Sequence, residues 1–249
     1  MLRVNRRGLP ASTRKVCEMV AEKTDTCTIA VSRGKDSIAC WLIIREYFKH
    51  VIPYYTVNIP TNPLPRHEQE YLDYCEKQFE TKIHLYVNGF VGVCIDWYLY
   101  QPWQDWDKIE DLNIDEITEK KYFDYIKSLR EITGCSKNSW GCSGIKGCDN
   151  GLMRRMFTKR GIGIREEDHT FYPVYDWTHN EVFEFLAAHE TKLPSDYMCH
   201  NKTIMGVPTA PQLEWLRDNM PDDYAKVLQT YPMIEVQIAR NEFRRMRRS

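Results

Sequence analysis

The chain has 249 residues, of which 43% are hydrophobic and 28% charged, and its formal net charge at pH 7 is -1. This is the composition of an ordinary globular protein that can bury a core without disulfides, and the small net charge gives no general attraction to nucleic acid or membranes. No run approaches the roughly 18–20 apolar residues of a membrane span, and no apolar stretch follows the charged start to make a secretory signal. The nine cysteines, an odd number, argue against a secreted disulfide scaffold, so we expect a soluble cytoplasmic protein.

Short apolar runs alternate with helical patterns in the first third of the chain. Strands are predicted over Cys27–Val31, Val51–Val57 and Lys82–Val87, and helices over Ser12–Lys23, Ile38–Ile44 and Glu68–Glu80. Alternation of strands and helices implies right-handed crossovers and a parallel sheet. We therefore expect an α/β, doubly wound fold with a mainly parallel sheet, helices on both faces and a helical C-terminal segment.

We interpret residues 1–249 as a single α/β domain with an inserted segment at about 88–150 and a helical C-terminal extension at about 195–249. The insertion contains an aromatic and acidic stretch, Asp96–Trp106, which fits either a lid or docking segment, or a pair of surface helices that pack their own aromatic side chains.

Two further features predict where helices begin and end. Thr178 and Glu181 have the spacing of a capping box, at the start of a helix predicted over Asn180–His189. The last long helical pattern, Gln212–Arg248, is interrupted by two prolines, which we expect to divide it into separate helices.

The most specific signal is Ser32–Ser37, with the sequence Ser-Arg-Gly-Lys-Asp-Ser, between a predicted strand and a predicted helix. Gly34 allows a tight turn and a close approach to phosphate oxygens, and the helix that follows offers unpaired N–H groups to an anion. Lys35 supplies positive charge to the phosphates and the serines supply hydroxyl groups. Asp36 either holds a magnesium-bound water or caps the helix. The Walker pattern is absent.

This loop resembles the phosphate loop of the adenine-nucleotide alpha-hydrolase (PP-loop) superfamily, which includes ATP pyrophosphatases, sulfurtransferases and phosphoadenosine phosphosulfate (PAPS) reductases. The stretch Phe171–Phe183 resembles the PAPS reductase signature of Pro-hydrophobic-x-Asp-Trp-Thr and then Glu-Val-aromatic, and Leu193-Pro194 with Tyr197 resembles its continuation. The nucleotide-binding residues that follow from these matches are Ser32, Arg33, Gly34, Lys35, Asp36, Ser37, Arg165, Asp176 and Trp177. Lys35 and Asp36 are also the expected catalytic residues. A strand over Phe171–Tyr175 is expected to bring Asp176 to the carboxyl edge of the sheet.

Three features depart from the reductase pattern. The reductases carry a C-terminal Glu-Cys-Gly-x-His motif, whereas no cysteine follows Cys199 here. Only part of the family's Gly-Ile-Arg element is present, in Gly163–Asp168, and Arg33 stands where small or aromatic residues are common. The sequence therefore leaves open whether the chain carries out thioredoxin-dependent sulfate reduction, and we expect Arg33 to add a cation beside the phosphates.

Seven of the nine cysteines fall into two groups. Cys17, Cys27 and Cys40 lie in apolar contexts and are predicted to be buried small hydrophobic residues. A second group consists of Cys135, Cys142 and Cys148 in a Gly-rich segment, with Cys199 further along. These four are candidate ligands of a 4Fe-4S cluster or of zinc.

The same segment has two other interpretations. Its glycines also fit a mobile lid in which Lys137 and Lys146 reach for substrate anions, and we favour this reading because the six- and five-residue gaps match no metal-ligand spacing. Cys199 is also a candidate catalytic nucleophile, since it neighbours His200 and follows the Leu-Pro element.

The leading hypothesis is a PAPS reductase-like enzyme, a transferase or oxidoreductase of sulfur metabolism, that acts on ATP or on PAPS at its phosphate or sulfate group. The alternatives are a nucleotide-binding scaffold or sensor without turnover, and an Fe-S-dependent nucleic-acid sulfurtransferase. The expected ligands are an adenine nucleotide and Mg²⁺. Five arginines in Arg240–Ser249 are a candidate contact to nucleic acid. No membrane partner is expected, and the sequence leaves the oligomeric state open, a homo-oligomer included.

Overall fold

The structure is a computed structural model that describes residues 9–57, 59, 61, 63–87, 139–200, 203–204, 208–231 and 234–247, without the side chains of residues 198–200 and 237. The strands are β1 (Thr26–Ala30), β2 (His50–Val57), β3 (His84–Val87), β4 (Trp140–Cys142), β5 (Ile164–Arg165) and β6 (Thr170–Phe171). The helices are α1 (Ala11–Ala21), α2 (Lys35–Ile44), α3 (Arg66–Phe79), α4 (Gly151–Arg160), α5 (His179–Ala188), α6 (Ser195–His200), α7 (Ala210–Asn219), α8 (Pro221–Thr230) and α9 (Glu235–Met246). Most of the predicted insertion, including Asp96–Trp106, lies outside the described residues.

The six strands form one sheet in the order β3-β2-β1-β4-β6-β5. β1 pairs in parallel with both β2 and β4, β4 pairs in parallel with β6, and only β5, among the pairings described, runs antiparallel to its neighbour. The chain therefore builds the sheet outward from β1 through β2 and β3, and then begins again on the other side at β4. This reversal of strand order defines a doubly wound sheet, and the predicted α/β fold class is confirmed.

The centre of the sheet is buried because its residues are apolar or small. Four of the five residues of β1 are buried, and every residue of α2 except Asp36 is buried. The ring of Trp41 in α2 lies 4.3 Å from that of Phe79, centroid to centroid. Cys17, Cys27 and Cys40 are each 0% exposed, which confirms their prediction as buried residues.

Among the described residues the chain divides into two compact units, residues 9–55, 75–84 and 139–193, and residues 56–74, 85–87 and 194–247. In the second unit, the pattern predicted as interrupted does divide into separate helices. α8 begins at Pro221, and α9 begins beyond the second proline. The description of residues 1–249 as a single domain stays a prediction. No helix in the described ranges combines the length and apolar character needed to cross a membrane.

Within the second unit, Asp223 of α8 holds the start of α3. Its carboxylate accepts hydrogen bonds from the backbone N–H groups of Arg66 at 2.5 Å and His67 at 2.9 Å, and lies 2.6 Å from His67 Nδ1. Burial acts to raise the pKa of Asp223, but the hydrogen bonds from His67 and Arg66 outweigh it and hold the pKa below its usual 3.8. Asp223 thus satisfies backbone donors that α3 itself cannot pair.

We expect Asp223→Asn to lower the free energy of unfolding by about 1–3 kcal/mol, because hydrogen bonds to a charged acceptor are lost in a buried place. Because the folded pKa is depressed, this stabilisation is present above pH 3.8 and is lost as the pH falls through the lower folded value. Urea unfolding at several pH values measures the effect. Asp222→Asn, an exposed residue in the same turn, is the control, and equal midpoints for the two variants would contradict the assignment.

Candidate nucleotide site at the carboxyl edge of the sheet

Ser37 closes the loop between β1 and α2. Its hydroxyl donates to the Gly34 carbonyl oxygen at 2.9 Å and accepts from the Ser32 backbone N–H at 3.1 Å. The left-handed backbone of the turn is at Arg33, with φ 60°, and not at Gly34, which has φ -74° and ψ 152°. The expectation that Gly34 makes the turn was therefore wrong. The close approach of phosphate oxygens to Gly34 stays a prediction.

The first backbone N–H groups of α2 have no side-chain cap among the described residues, so they retain their donor capacity. The helix is ten residues long, and its dipole adds partial positive charge at this end. An uncapped helix start after a short loop is a site where anions bind.

Four charged side chains alternate in sign beside the loop. The Lys35 ammonium lies 2.8 Å from both carboxylate oxygens of Asp36. The Lys146 ammonium lies 2.7 Å from Asp36 Oδ2 and 3.0 Å from Asp149 Oδ1. Asp36 is therefore shared by two lysines, and Lys146 by two aspartates. The two positive and two negative charges balance formally.

Lys146 is 0% exposed. Burial acts to lower its pKa, but the hydrogen bonds and charges of Asp36 and Asp149 outweigh burial and raise the pKa above its usual 10.5. Lys146 is therefore positively charged at neutral pH. A buried charge of this kind is tolerated because both partners are carboxylates within hydrogen-bonding distance.

The strand order explains why these residues meet. β1 and β4 are parallel neighbours, so the loop that begins at Ser32 and the loop that begins at Ser143 leave the sheet at the same edge. The strand order reverses between these two strands, where doubly wound sheets bind their ligands. Gly144 touches the start of α2: a Cβ built on it would lie 2.6 Å from the carbonyl carbon of Asp36.

The segment after β6 reaches the same edge. β6 is parallel to β4, and the Tyr175 carbonyl accepts a hydrogen bond from the Gly147 N–H at 2.7 Å. The predicted position of Asp176 at the carboxyl edge is therefore confirmed. The predicted strand over Phe171–Tyr175 is shorter than expected. It ends at Phe171, because the chain turns there and the Tyr175 N–H bonds to the Tyr172 carbonyl at 3.2 Å.

Asp176 and Trp177 are both predicted to bind nucleotide, but they differ in exposure and in the hydrogen bonds that they already form. Asp176 is exposed. Trp177 is 3% exposed, and its indole N–H donates to Thr13 Oγ1 at 2.8 Å, while the Thr13 hydroxyl donates to the Pro173 carbonyl at 2.8 Å. The polar group of Trp177 is thus already engaged in holding α1.

The guanidinium groups of Arg33 and Arg165 both have partners within the protein. Arg33 is 0% exposed, and its guanidinium carbon lies 5.9 Å from the centre of the Tyr55 ring. Arg165 forms an ion pair with Asp168 and stands opposite Thr170 at the amino end of β6. Nucleotide binding by these two arginines stays a prediction.

Cys142 and Cys148 have different surroundings, although both were predicted as ligands of one metal site. Burial raises the pKa of the Cys142 thiol well above its usual value, and Cys27 and Cys40 lie beside it. The Cys148 thiol instead donates to the Trp177 carbonyl at 3.3 Å. Cys135 lies outside the described residues, as does the side chain of Cys199, so the four-cysteine site stays a prediction.

The residues that complete the site came from a region with weak sequence signals. The sequence predicts Lys146 as an anion-binding residue of a lid, whereas in the structure its side chain is buried and forms ion pairs with Asp36 and Asp149. Asp149 had not been singled out, although its spacing of three from Lys146 is a weak signal for an ion pair. His179 is the first residue of α5. The predicted capping box of Thr178 and Glu181 is confirmed.

No protein-family profile matches the chain, and no curated protein matches it. Many solved structures resemble it, among them the following three. The first is a U34-tRNA thiolase from Methanococcus maripaludis with its 4Fe-4S cluster, which is 14% identical over 86% of this chain and 76% of that chain, with a TM-score of 0.42. The second is an NH3-dependent NAD synthetase from Campylobacter jejuni with nitrate, which is 12% identical over 93% of each chain, with a TM-score of 0.42. The third is a phosphoadenylyl-sulfate reductase from Candida auris with phosphate, which is 10% identical over 82% of this chain and 91% of that chain, with a TM-score of 0.48. The third belongs to the family that the sequence resembles.

We expect Gly144→Ala to lower the free energy of unfolding by about 1–3 kcal/mol, the usual cost of overpacking. The added methyl group would meet backbone atoms of α2, 2.6 Å from the Asp36 carbonyl carbon and 2.8 Å from the Ser37 nitrogen, and backbone cannot rotate away. Gly151→Ala is the matched control, because nothing lies within 4 Å of its Cβ position. Urea denaturation compares them, and the same midpoint for both variants would show that the two loops are not in close contact.

Proposed function

We propose that the chain is an adenine-nucleotide-binding enzyme of the PAPS reductase-like kind, which uses ATP or an adenylyl sulfate at its phosphate or sulfate group. The observation that carries this proposal is the loop Ser32–Ser37, closed by Ser37 at the point where the strand order reverses, with two lysines beside an uncapped helix. The loop's resemblance to adenine-nucleotide phosphate loops supplies the nucleotide class.

In this proposal the phosphate group replaces Asp36 as the partner of Lys35. The Lys35 side chain has four rotatable bonds, and rotation about the outer ones would move the ammonium from the Asp36 carboxylate to a phosphate oxygen. Lys146 remains fixed between Asp36 and Asp149 and adds a constant positive charge. Together with the N–H groups of α2, these donors stabilise negative charge that develops on phosphate oxygens during bond cleavage.

Asp36 also fits a role with Mg²⁺, since carboxylate oxygens are preferred magnesium ligands and its side chain is 26% exposed. Both of its oxygens face lysine ammonium groups here. Departure of Lys35 toward the nucleotide would leave Asp36 available to the ion, which would neutralise phosphate charge. Catalysis by Cys199 as a nucleophile remains a separate hypothesis.

We expect Lys35→Ala to weaken binding of ATP or PAPS by about 1–3 kcal/mol, roughly fivefold to 150-fold, because a charge-assisted contact to phosphate is lost. Lys15→Ala, which removes an exposed lysine from α1, is the control and should bind like the unaltered protein. Isothermal calorimetry with ATP, PAPS and AMP measures both. Equal affinity of the two variants for ATP and for PAPS would rule out the loop as the phosphate site.

Turnover distinguishes the enzyme from a nucleotide-binding scaffold. Incubation with radiolabelled ATP should release pyrophosphate and AMP, with water as the acceptor of the adenylyl group. Incubation with PAPS and a dithiol reductant should release adenosine 3′,5′-bisphosphate and sulfite as the dithiol is oxidised to a disulfide. The same products should be lost in Lys35→Ala. Tight binding without any product in either incubation would favour the scaffold.

A second candidate function, sulfur transfer to nucleic acid, is favoured by the surface of α4. Arg154, Arg155 and Lys159 are exposed on this helix, which directly follows the loop that carries Lys146. In the part of the chain that the structure describes, Arg154 and Lys159 form no ion pair. Unpaired cations beside a nucleotide site suit the phosphate backbone of an acceptor nucleic acid.

For this candidate, the double substitution Arg154→Glu and Arg155→Glu should weaken RNA binding at least tenfold and reduce its dependence on salt concentration. The matched control reverses another exposed basic pair, Arg14 and Lys15 of α1. Fluorescence anisotropy with labelled tRNA at several salt concentrations measures both. If the two double variants bind alike, α4 is not the nucleic-acid surface.

A further inference from the structure

A sulfur, an oxygen and a nitrogen ligand converge next to the proposed nucleotide site, and of the three residues only Asp149 also takes part in that site, through its ion pair with Lys146. The Sγ of Cys148, a carboxylate oxygen of Asp149 and a ring nitrogen of His179 all lie within 4.8 Å of one another. The first two come from the turn before α4, and the third from the first residue of α5. Two separate segments therefore present three metal-binding side chains to one point.

Backbone hydrogen bonds hold the turn. The Gly147 N–H donates to the Tyr175 carbonyl at 2.7 Å, and the Asp149 N–H donates to the Lys146 carbonyl at 3.2 Å. The Lys146 N–H donates to Asp149 Oδ2 at 2.7 Å. The positions of Cys148 and Asp149 thus depend on the fold and not on chance encounters of surface side chains.

Hydrogen bonds also hold the second segment, which contains His179. The capping box places the Thr178 N–H 2.6 Å from a carboxylate oxygen of Glu181, and fixes His179 at the start of α5. The Cys148 thiol reaches the Trp177 carbonyl at 3.3 Å, which joins the two segments next to the three ligands. The His179 ring forms no hydrogen bond with any residue that the structure describes, so its nitrogens remain available to a ligand.

The chemistry of the three ligands selects the ion. Thiolate and imidazole favour zinc over magnesium or calcium, and a carboxylate completes a mixed set that zinc accepts. With metal–ligand bonds of about 2.0–2.3 Å in a tetrahedron, the ligand atoms would stand about 3.3–3.8 Å apart. Side-chain rotations that move the ligand atoms by about 1 Å would reduce their present separations, which are at most 4.8 Å, to those of a tetrahedral site.

We propose that Cys148, Asp149 and His179 bind one Zn²⁺, with a water or an external ligand as the fourth partner. Binding releases the thiol proton of Cys148, and the cation stabilises the thiolate that remains. This site differs from the predicted four-cysteine site in excluding Cys142, whose thiol lies beside Cys27 and Cys40. The inference does not rest on the proposed nucleotide function, because it can be tested without nucleotide.

The test is a titration of the metal-free full chain with Zn²⁺ against a chromophoric chelator, together with Co²⁺ spectra. We expect one Zn²⁺ per chain, and a thiolate-to-cobalt charge-transfer band with intense tetrahedral d–d bands. Cys148→Ala and His179→Ala should each weaken Zn²⁺ binding at least tenfold and remove or alter these bands. Both residues are exposed, so the substitutions should leave the fold intact.

Two controls separate this site from other sources of metal binding. Cys142→Ala should retain the zinc affinity and the cobalt spectrum, and His50→Ala, at an exposed histidine elsewhere, should do the same. Unchanged zinc binding in Cys148→Ala or His179→Ala would overturn the proposal. A loss in Cys142→Ala as large as in Cys148→Ala would overturn it too, in favour of the four-cysteine site.

Discussion

The ion pair between Asp36 and Lys146 joins the loops that follow β1 and β4, the two strands between which the order of the sheet reverses. Lys146 is fully buried, and an ammonium group in that place would cost several kcal/mol without its carboxylate partners. Asp36 and Asp149 must therefore stay close to it. This requirement fixes the second loop against the first and links Lys35, Asp36, Lys146 and Asp149 in one network.

The same requirement explains the close approach at Gly144. The chain passes so near the start of α2 that a Cβ has no room, and this proximity brings Lys146 within 2.7 Å of Asp36. Beyond Lys146 the chain turns through Cys148 and Asp149, which sets the distance of both from α5. The proposed phosphate site and the proposed zinc site thus share one structural element, the loop after β4, and Asp149 belongs to both networks.

Local patterns in the sequence were sufficient for several parts of the fold. The strand–loop–helix order around Ser32–Ser37, the capping box at Thr178 and the helix break at Pro221 were predicted and are observed. Each depends on contacts between residues a few positions apart, so a short window of sequence contains the physical cause. The turn at Arg33 was misjudged because glycine usually takes the left-handed conformation, whereas here the arginine has φ 60°.

The sequence alone determined the class of fold and the position of the loop Ser32–Ser37 between a strand and a helix, because both follow from local periodicity and from the short-range chemistry of glycine, lysine and serine. Only the tertiary structure decided which distant residues meet. It paired Lys146 with Asp36, placed Cys142 in the core and Cys148 beside His179, and engaged the indole of Trp177 with Thr13. These contacts depend on the order of strands in the sheet, which is set by packing over the whole chain and leaves no periodic signal at the residues concerned.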